Sequence, residues 1–189
     1  MARREAVTEL DHLVVAARTL DEGGRWVAAR LGVEPQQGGK HATMGTHNRL
    51  LSLGPGRFLE VIAIDPEGAA PAGPRWFELD TPAMRERLAR SPGLIHWVER
   101  TGDLEGALAH YPAEVDITAF SRGSYRWRMA LTRDGSRPGG GALPTLIQWE
   151  GAHPADALKD AGIRLERFEH EGGRLSAAFS TPSGPRTIP

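Results

Sequence analysis

A histidine occurs twice in the same local setting, and this repetition constrains the fold more than any other feature of the chain. His12 lies in the apolar run 10–16, and His96 lies in the apolar run 94–98. At the same spacing after each histidine a leucine is followed by an acid, at Leu20-Asp21 and Leu104-Glu105. Short apolar runs are typical of buried strands, and each run leads into a segment with helical character. The pattern therefore predicts a duplicated fold.

Glu60 is the only charged residue in the apolar run 58–64. A carboxylate in such a strand is costly to bury unless a cation, a metal ion or hydrogen-bond donors meet it. Together with the two histidines, it predicts a metal or polar site between the two halves. The structural alternative is an internal ion pair with Arg126 or Arg128.

The predicted elements follow the same order in both halves. The first half has predicted strands at 10–17, 49–53 and 58–64 and a helix at 21–31; the second has strands at 94–98, 125–132 and 145–150 and a helix at 104–111. Between the halves the sequence predicts a linker at 65–75 and a short helix at 81–90. Residues 135–141 are predicted to form a mobile loop, and two more strands, 163–169 and 175–180, are predicted in the tail.

Composition limits the possible classes of function. The 189 residues suffice for one domain or two small halves, and a formal net charge of −1 implies no general attraction to nucleic acid or to an anionic membrane. Without cysteine, a metal ion would need His, Asp, Glu or Gln ligands. No apolar run approaches a membrane span, and residues 1–5 are basic with no apolar segment behind them, so the expected location is the cytoplasm. The excess of arginine over lysine hints at a GC-rich bacterial genome.

Alternation along the strands predicts which side chains share a face. If the apolar faces pack on helices, the opposite faces form a polar concave cavity that receives His12, Glu60, Arg126, Arg128, Gln148 and Glu150. Arginine side chains facing such a cavity would suit a carboxylate or phosphate group. The alternative for Arg126, Arg128 and Glu150 is a solvent-exposed position.

Several segments resemble the vicinal oxygen chelate superfamily, and within it the glyoxalase-like domain proteins. The resembling segments are 10–15, 38–41, 45–48, 58–62, 74–77 and 143–149. The resemblance implies an α+β fold in which two βαβββ modules, at about 8–66 and 92–153, form an incomplete mixed-sheet barrel around a central cavity. It implies a glyoxalase-like domain over residues 1–153, with a β-rich extension, 154–189, packed on it.

The resemblance also implies a divalent metal ion held by the first and last strands of each module. The implied ligands are His12, Glu60 and His96, with Glu150 or Gln148 as the fourth. Zn, Ni, Mn, Fe or Mg would suit such ligands. Glu60 or Glu150 would move a proton, and the predicted substrate-binding residues are His41, Thr46, Asn48, Arg126, Arg128 and Gln148.

The leading hypothesis is a metal-dependent enzyme, a lyase, isomerase or dioxygenase, acting on a small vicinal-oxygen substrate that would be anionic if arginines face the cavity. The alternative is a metal-free protein that binds or sequesters a small molecule. In a third reading, Glu60 forms a structural ion pair in an oligomer-forming domain. The predicted partner is a small molecule, neither nucleic acid nor membrane, and a homodimer is left open. His47, His110, His153 and His170 are predicted to lie at the surface.

Overall fold

The first half of the chain folds as a strand, a helix and three further strands in the computed structural model, which describes residues 7–189. These elements are β1 (Thr8–Ala16), α1 (Leu20–Leu31), β2 (Gln36–His41), β3 (Thr46–Ser52) and β4 (Phe58–Ile64). Helix α1 begins where Thr19 accepts a hydrogen bond from the Glu22 amide, and it ends at Gly32, whose φ of 76° is readily adopted by glycine.

The second half repeats this order after a connecting segment. The segment contains a 3₁₀ turn (Trp76–Glu78) and α2 (Pro82–Arg90). The second module then comprises β5 (Gly93–Thr101), α3 (Leu104–Leu108), β6 (Asp116–Arg122), β7 (Tyr125–Leu131) and β8 (Thr145–Trp149). The short helix α4 (Pro138–Gly141) lies between its last two strands, and α5 (Pro154–Ala157) follows them.

The eight strands of the two modules form one curled mixed sheet. Their order is β2-β3-β4-β1-β5-β8-β7-β6, so the two modules meet at the antiparallel pair of β1 and β5. Strand β1 runs parallel to β4, and β5 runs parallel to β8. The sheet is a half-barrel of the kind predicted, and the α+β fold class is confirmed.

The C-terminal residues form a second sheet of three antiparallel strands. These are β9 (Arg164–Glu171), β10 (Arg174–Thr181) and β11 (Gly184–Ile188). Phe179 and Ile188 are fully buried in one core cluster with Leu13, Val27 and Trp97 of the first sheet and α1. The two predicted strands of the tail are present, and the third was not predicted. The predicted division at 153/154 stays a prediction, and residues 1–6, including the basic stretch, lie outside the described part.

Several predicted boundaries differ from the structure. Strands β2 and β6 were missed because both are edge strands, and β2 is polar and glycine-rich, without the alternation that marks a half-buried strand. Helix α3 ends at Leu108, three residues earlier than predicted. Within the segment 135–141, Arg137 donates hydrogen bonds to the Ile95 carbonyl and to Glu78, and the mobility of this loop stays a prediction. Across residues 7–189, no helix is long and apolar enough to cross a membrane.

Candidate functional site

A cavity that opens to solvent lies inside the curled sheet. Its volume is about 430 Å³, including the space at the opening. Its polar lining residues are His12, His41, Asn48, Glu60 and Arg122, and its apolar lining residues are Leu50, Phe58, Trp76, Phe77, Trp127, Met129, Ile147, Trp149 and Pro154. Apart from Arg122, every polar lining residue comes from module one. Aromatic walls with a few converging polar groups are typical of small-molecule sites.

Asp11 is the buried anchor of the site. The register between β1 and β5 shifts between Leu10 and His12, so Asp11 lies at a β-bulge, and its side chain is fully buried. Its carboxylate lies 2.5 Å from His12 Nδ1, 3.0 Å from Trp149 Nε1 and 2.9 Å from His153 Nε2. Burial alone would raise the pKa of Asp11, but the hydrogen bonds from both histidines outweigh burial and hold that pKa well below its ordinary value. Asp11 is therefore a buried anion that orients its neighbours.

His12 and Glu60 face each other at the cavity wall. The distance from His12 Nε2 to Glu60 Oε2 is 3.8 Å, and both residues are buried. Because His12 Nδ1 faces the Asp11 carboxylate, Nδ1 carries a proton and Nε2 is the nitrogen turned toward Glu60. Asn48 Nδ2 donates to Glu60 Oε1 over 2.7 Å. Glu60 is therefore met by an imidazole and an amide, and the structural alternative, an ion pair with Arg126 or Arg128, is wrong.

A second polar network surrounds His41. Its Nδ1 lies 3.0 Å from Thr46 Oγ1, and its Nε2 lies 3.3 Å from Arg122 Nη1. Arg122 Nη1 also donates to Asn48 Oδ1 over 3.1 Å. Burial, assisted by the charge of Arg122, lowers the pKa of His41 to about 4, although Glu60 opposes this shift. His41 is thus a neutral ring near pH 7, positioned at the edges of the Trp76 and Trp127 rings.

The second module has no counterpart of Glu60 in the cavity. On β1 and β4, Val14 pairs with Glu60; on β5 and β8, Val98 pairs with Thr145. His12 and His96 each lie two residues before these valines, so Thr145 occupies the module-two position that corresponds to Glu60.

His96 is sealed inside the protein. Its side chain is fully buried, its Nε2 lies 2.9 Å from Thr145 Oγ1, and the Phe77 ring lies 5.2 Å away, centroid to centroid. His96 Nδ1 has no hydrogen-bond partner within the described residues. Burial, with a further contribution from Arg137, lowers the pKa of His96 to about 3. His96 is therefore a neutral core histidine.

Four predicted cavity residues lie on the other face of the sheet. Arg128 donates to Glu105 of α3 and, over 2.5 Å, to Gln148 Oε1, while Gln148 Nε2 donates to the Gly102 carbonyl. Arg126 and Glu150 are exposed. The predicted placement of Arg126, Arg128, Gln148 and Glu150 in the cavity is wrong, because it assumed that the apolar faces of β7 and β8 pack on a helix. Those faces instead form the cavity wall, through Trp127, Met129, Ile147 and Trp149.

The side chains present do not fit the four-ligand metal site that the resemblance implies. His12 Nε2 and Glu60 Oε2 are neighbouring donors, but His96 is sealed by Thr145 and Phe77, and Glu150 is exposed beyond the end of β8. Gln148 is bound to Arg128 on the outer face. In the chain from residue 7 onward, no three His, Asp or Glu side chains are grouped to hold a metal ion.

The structure brings together four of the predicted module-one residues, His12, His41, Asn48 and Glu60, and adds Asp11 and Arg122. Thr46 is buried behind His41. Sequence reasoning missed Asp11, although a charge inside an apolar strand is the same signal that marked Glu60. Arg122 was missed because β6 was not predicted. His153, predicted at the surface, is half-buried against Asp11 and Phe58.

Comparisons with known proteins agree with the architecture. A family profile described as a glyoxalase-like domain matches residues 10–180. Among solved structures, methylmalonyl-CoA epimerase from Mycobacterium tuberculosis shares 21% identity, with 84% of this chain and 97% of that chain covered and a TM-score of 0.50. A hypothetical protein from Staphylococcus aureus shares 12% identity, with 93% and 82% covered and a TM-score of 0.50. These structures share the fold. No curated protein matches the chain at a significant level.

Proposed function

This chain belongs to the glyoxalase-like domain family of the vicinal oxygen chelate superfamily, and on that premise we propose that it is a proton-transfer enzyme acting on a small molecule between His12 and Glu60. One observation carries the proposal: a buried carboxylate, Asp11, holds His12 so that its Nε2 lies 3.8 Å from Glu60 in an aromatic cavity. An imidazole oriented by a buried carboxylate is a recurring arrangement for moving protons.

The two groups suit the enolisation of a carbonyl compound. Glu60 Oε2 takes the proton from the carbon next to the carbonyl, and the electron pair of that C–H bond moves into the new C=C bond. His12 enters this step as the imidazolium, with a proton on each nitrogen, and the Asp11 carboxylate stabilises that charged form. The Nε2 proton passes to the carbonyl oxygen, which gives the enol and leaves a neutral imidazole whose Nδ1 proton faces Asp11. Return of a proton to carbon and removal of the oxygen proton complete an exchange or an isomerisation. Asn48 keeps the Glu60 carboxylate aimed by its 2.7 Å hydrogen bond.

This chemistry relies on the chain's own side chains. The metal-dependent reaction implied by the resemblance requires His96 and either Glu150 or Gln148 beside His12 and Glu60. Those residues lie in the core or on the outer face of the sheet, so no step is assigned to a metal ion.

Deuterium incorporation into phenylpyruvate tests the proposal. This compound carries an acidic C–H next to a carbonyl and a neighbouring carboxylate oxygen. In D₂O, chelator-treated wild-type protein is expected to accelerate loss of the benzylic proton signal in the NMR spectrum. Glu60→Gln should lower that acceleration by roughly 10²- to 10⁴-fold, the usual contribution of a positioned acid or base. Glu150→Gln removes an exposed carboxylate from the outer face and is the matched control.

Wild-type rates in Glu60→Gln would show that Glu60 is not the base. No acceleration by the wild-type protein would also contradict the proposal for this class of compound. Acceleration that is lost on chelator treatment and restored by Zn, Ni, Mn or Fe(II) would favour the metal-dependent reaction instead.

The second candidate is a metal-free protein that sequesters a small molecule. The aromatic character of the cavity wall, with Phe58, Trp127 and Trp149 around the polar groups, favours this reading because such a wall binds planar compounds without any reaction. In that case phenylpyruvate would bind equally well to the wild-type and Glu60→Gln proteins, and neither would exchange its proton.

A further inference from the structure

Arg122 supplies a positive charge to the lining of the cavity. It lies at the end of β6, the edge strand of module two, and reaches across to module one, where Nη1 contacts Asn48 Oδ1 and His41 Nε2. Both acceptors are neutral groups. In the part of the chain that the structure describes, no carboxylate forms an ion pair with Arg122, whereas Arg100, Arg128 and Arg137 each have at least one carboxylate partner.

Asn48 separates this positive charge from Glu60. Its Oδ1 accepts from Arg122, and its Nδ2 donates to Glu60. The cavity therefore has a cation on one side of Asn48 and the reacting pair, His12 and Glu60, on the other. Nε and Nη2 of Arg122 make no hydrogen bond to any residue from 7 to 189, so the guanidinium keeps donors for a ligand.

We propose that Arg122 is an anion subsite and that the ligand of the cavity is a small planar carboxylate. The proposal rests on the proposed function, since it assigns a substrate class to the same cavity. A guanidinium can bind both oxygens of a carboxylate. The aromatic side chains of the cavity wall, among them Phe58 and Trp149, can stack on a planar ligand. The sequence analysis expected Arg126 and Arg128 to bring positive charge to the cavity; in the structure Arg122 brings it.

Gly39 makes room for the Arg122 side chain. A Cβ atom at this position would lie 2.7 Å from Arg122 Cδ and 3.0 Å from its Nε. Gly39 does not have a positive φ, so alanine is compatible with the backbone there. The Gly39→Ala change is therefore expected to push the arginine aside while leaving its charge in the protein.

Calorimetric binding of two matched pairs of probes tests the subsite: benzoate against benzamide, and phenylacetate against phenylacetamide. Arg122→Gln is expected to weaken binding of both carboxylates by roughly ten- to a hundred-fold, the scale of a lost hydrogen bond to a charged group, and to change the amides by less than about two-fold. Arg122→Lys should retain part of the preference for carboxylates, because lysine keeps the positive charge but lacks the paired N–H donors that bind both carboxylate oxygens. Gly39→Ala should act in the same direction as Arg122→Gln.

Arg126→Gln is the matched control, because Arg126 is exposed on the neighbouring strand and faces away from the cavity. Binding of the carboxylates with wild-type affinity in Arg122→Gln would overturn the subsite. So would equal binding of the amides by the wild-type protein, or no binding of either carboxylate.

The outcome is separable from that of the proposed reaction. Glu60→Gln removes the proposed base but leaves Arg122 in place, so it should still bind benzoate. Arginine-dependent binding without proton exchange would retain the subsite and refute the reaction. Proton exchange by the wild-type protein, together with unchanged carboxylate binding in Arg122→Gln, would retain the reaction and refute the subsite.

Discussion

Replacing Asp11 with asparagine should destabilise the protein more than any exposed carboxylate substitution. The Asp11 side chain is fully buried and has three side-chain nitrogens within 3.0 Å, from His12, His153 and Trp149, and Arg100 Nη1 at 3.6 Å. Asparagine has the same shape but only one acceptor oxygen, and its NH₂ group would face the nitrogen donors that surround Asp11. Loss of one partner of a buried charged cluster costs about 3–5 kcal/mol.

The measurement is urea unfolding of the Asp11→Asn protein beside Glu9→Gln. Glu9 contacts the same arginine, Arg100, but its side chain is 56% exposed, and exposed ion pairs contribute about 0–1 kcal/mol. The expected loss for Asp11→Asn corresponds to a fall in Tm of roughly 6–20 °C for a chain of this size. The same substitution should also impair proton exchange, because His12 loses the carboxylate that fixes its ring.

A loss below about 1 kcal/mol in Asp11→Asn, or equal losses in the two variants, would refute the description of Asp11 as a buried anion. The pH dependence provides a second check. Because the pKa of Asp11 is lower in the folded protein than in the unfolded chain, its contribution is present above the ordinary aspartate pKa and is lost as the pH falls toward the folded value. Asp11→Asn should remove that part of the acid sensitivity.

Two further predictions concern the core. The buried His41 and His96 have pKa values near 4 and 3 in the folded protein, below the ordinary value of about 6.5. Between pH 6.5 and 4 these histidines therefore bind protons in the unfolded chain but not in the folded protein, and the free energy of unfolding should fall as the pH is lowered through this range. His96→Leu should flatten this fall, measured by urea unfolding across that range, and an unchanged slope would contradict the assignment. Phe179→Ala should cost about 3–5 kcal/mol, since Phe179 is 1% exposed and joins the C-terminal sheet to the main core. Phe168→Ala, at a half-buried position of the same sheet, should cost clearly less. A loss below about 1 kcal/mol in Phe179→Ala would mean that the C-terminal sheet is not part of that core.

The duplicated fold was readable from the sequence because its central strands carry strong apolar patterns. Strands β1, β4 and β5 are almost wholly buried, so the runs around His12, Glu60 and His96 identified them. The edge strands β2 and β6 carry no such pattern, since one side of each has no partner strand and little is buried there. Sequence alone therefore found the centre of each module and missed its edges.

The candidate site was predictable only on the side built from those central strands. His12 and Glu60 meet at the wall of the cavity because alternation placed them on the inner face of β1 and β4. In module two the alternation was read correctly, but the polar face of β7 was predicted to line the cavity. The face of β7 that lines the cavity is instead aromatic, because helix α3 lies on the polar face, and the sequence does not show which face a helix covers. The charge of Asp11 inside an apolar strand was a signal, but its place behind His12 depends on a bulge, which local pattern does not predict. Arg122 reaches the cavity through contact between distant strand edges, which local pattern does not predict either.

The central claim is that the reacting groups lie in module one alone, and proton exchange by His96→Leu tests it most directly. Deuterium incorporation into phenylpyruvate is measured for this variant beside the wild-type protein, both treated with chelator and compared at equal folded fraction. We predict rates within about two-fold of each other, because His96 is sealed behind Phe77 and bound to Thr145. Loss of exchange in His96→Leu, while the wild-type protein keeps its rate, would contradict the account and show that the site spans both modules.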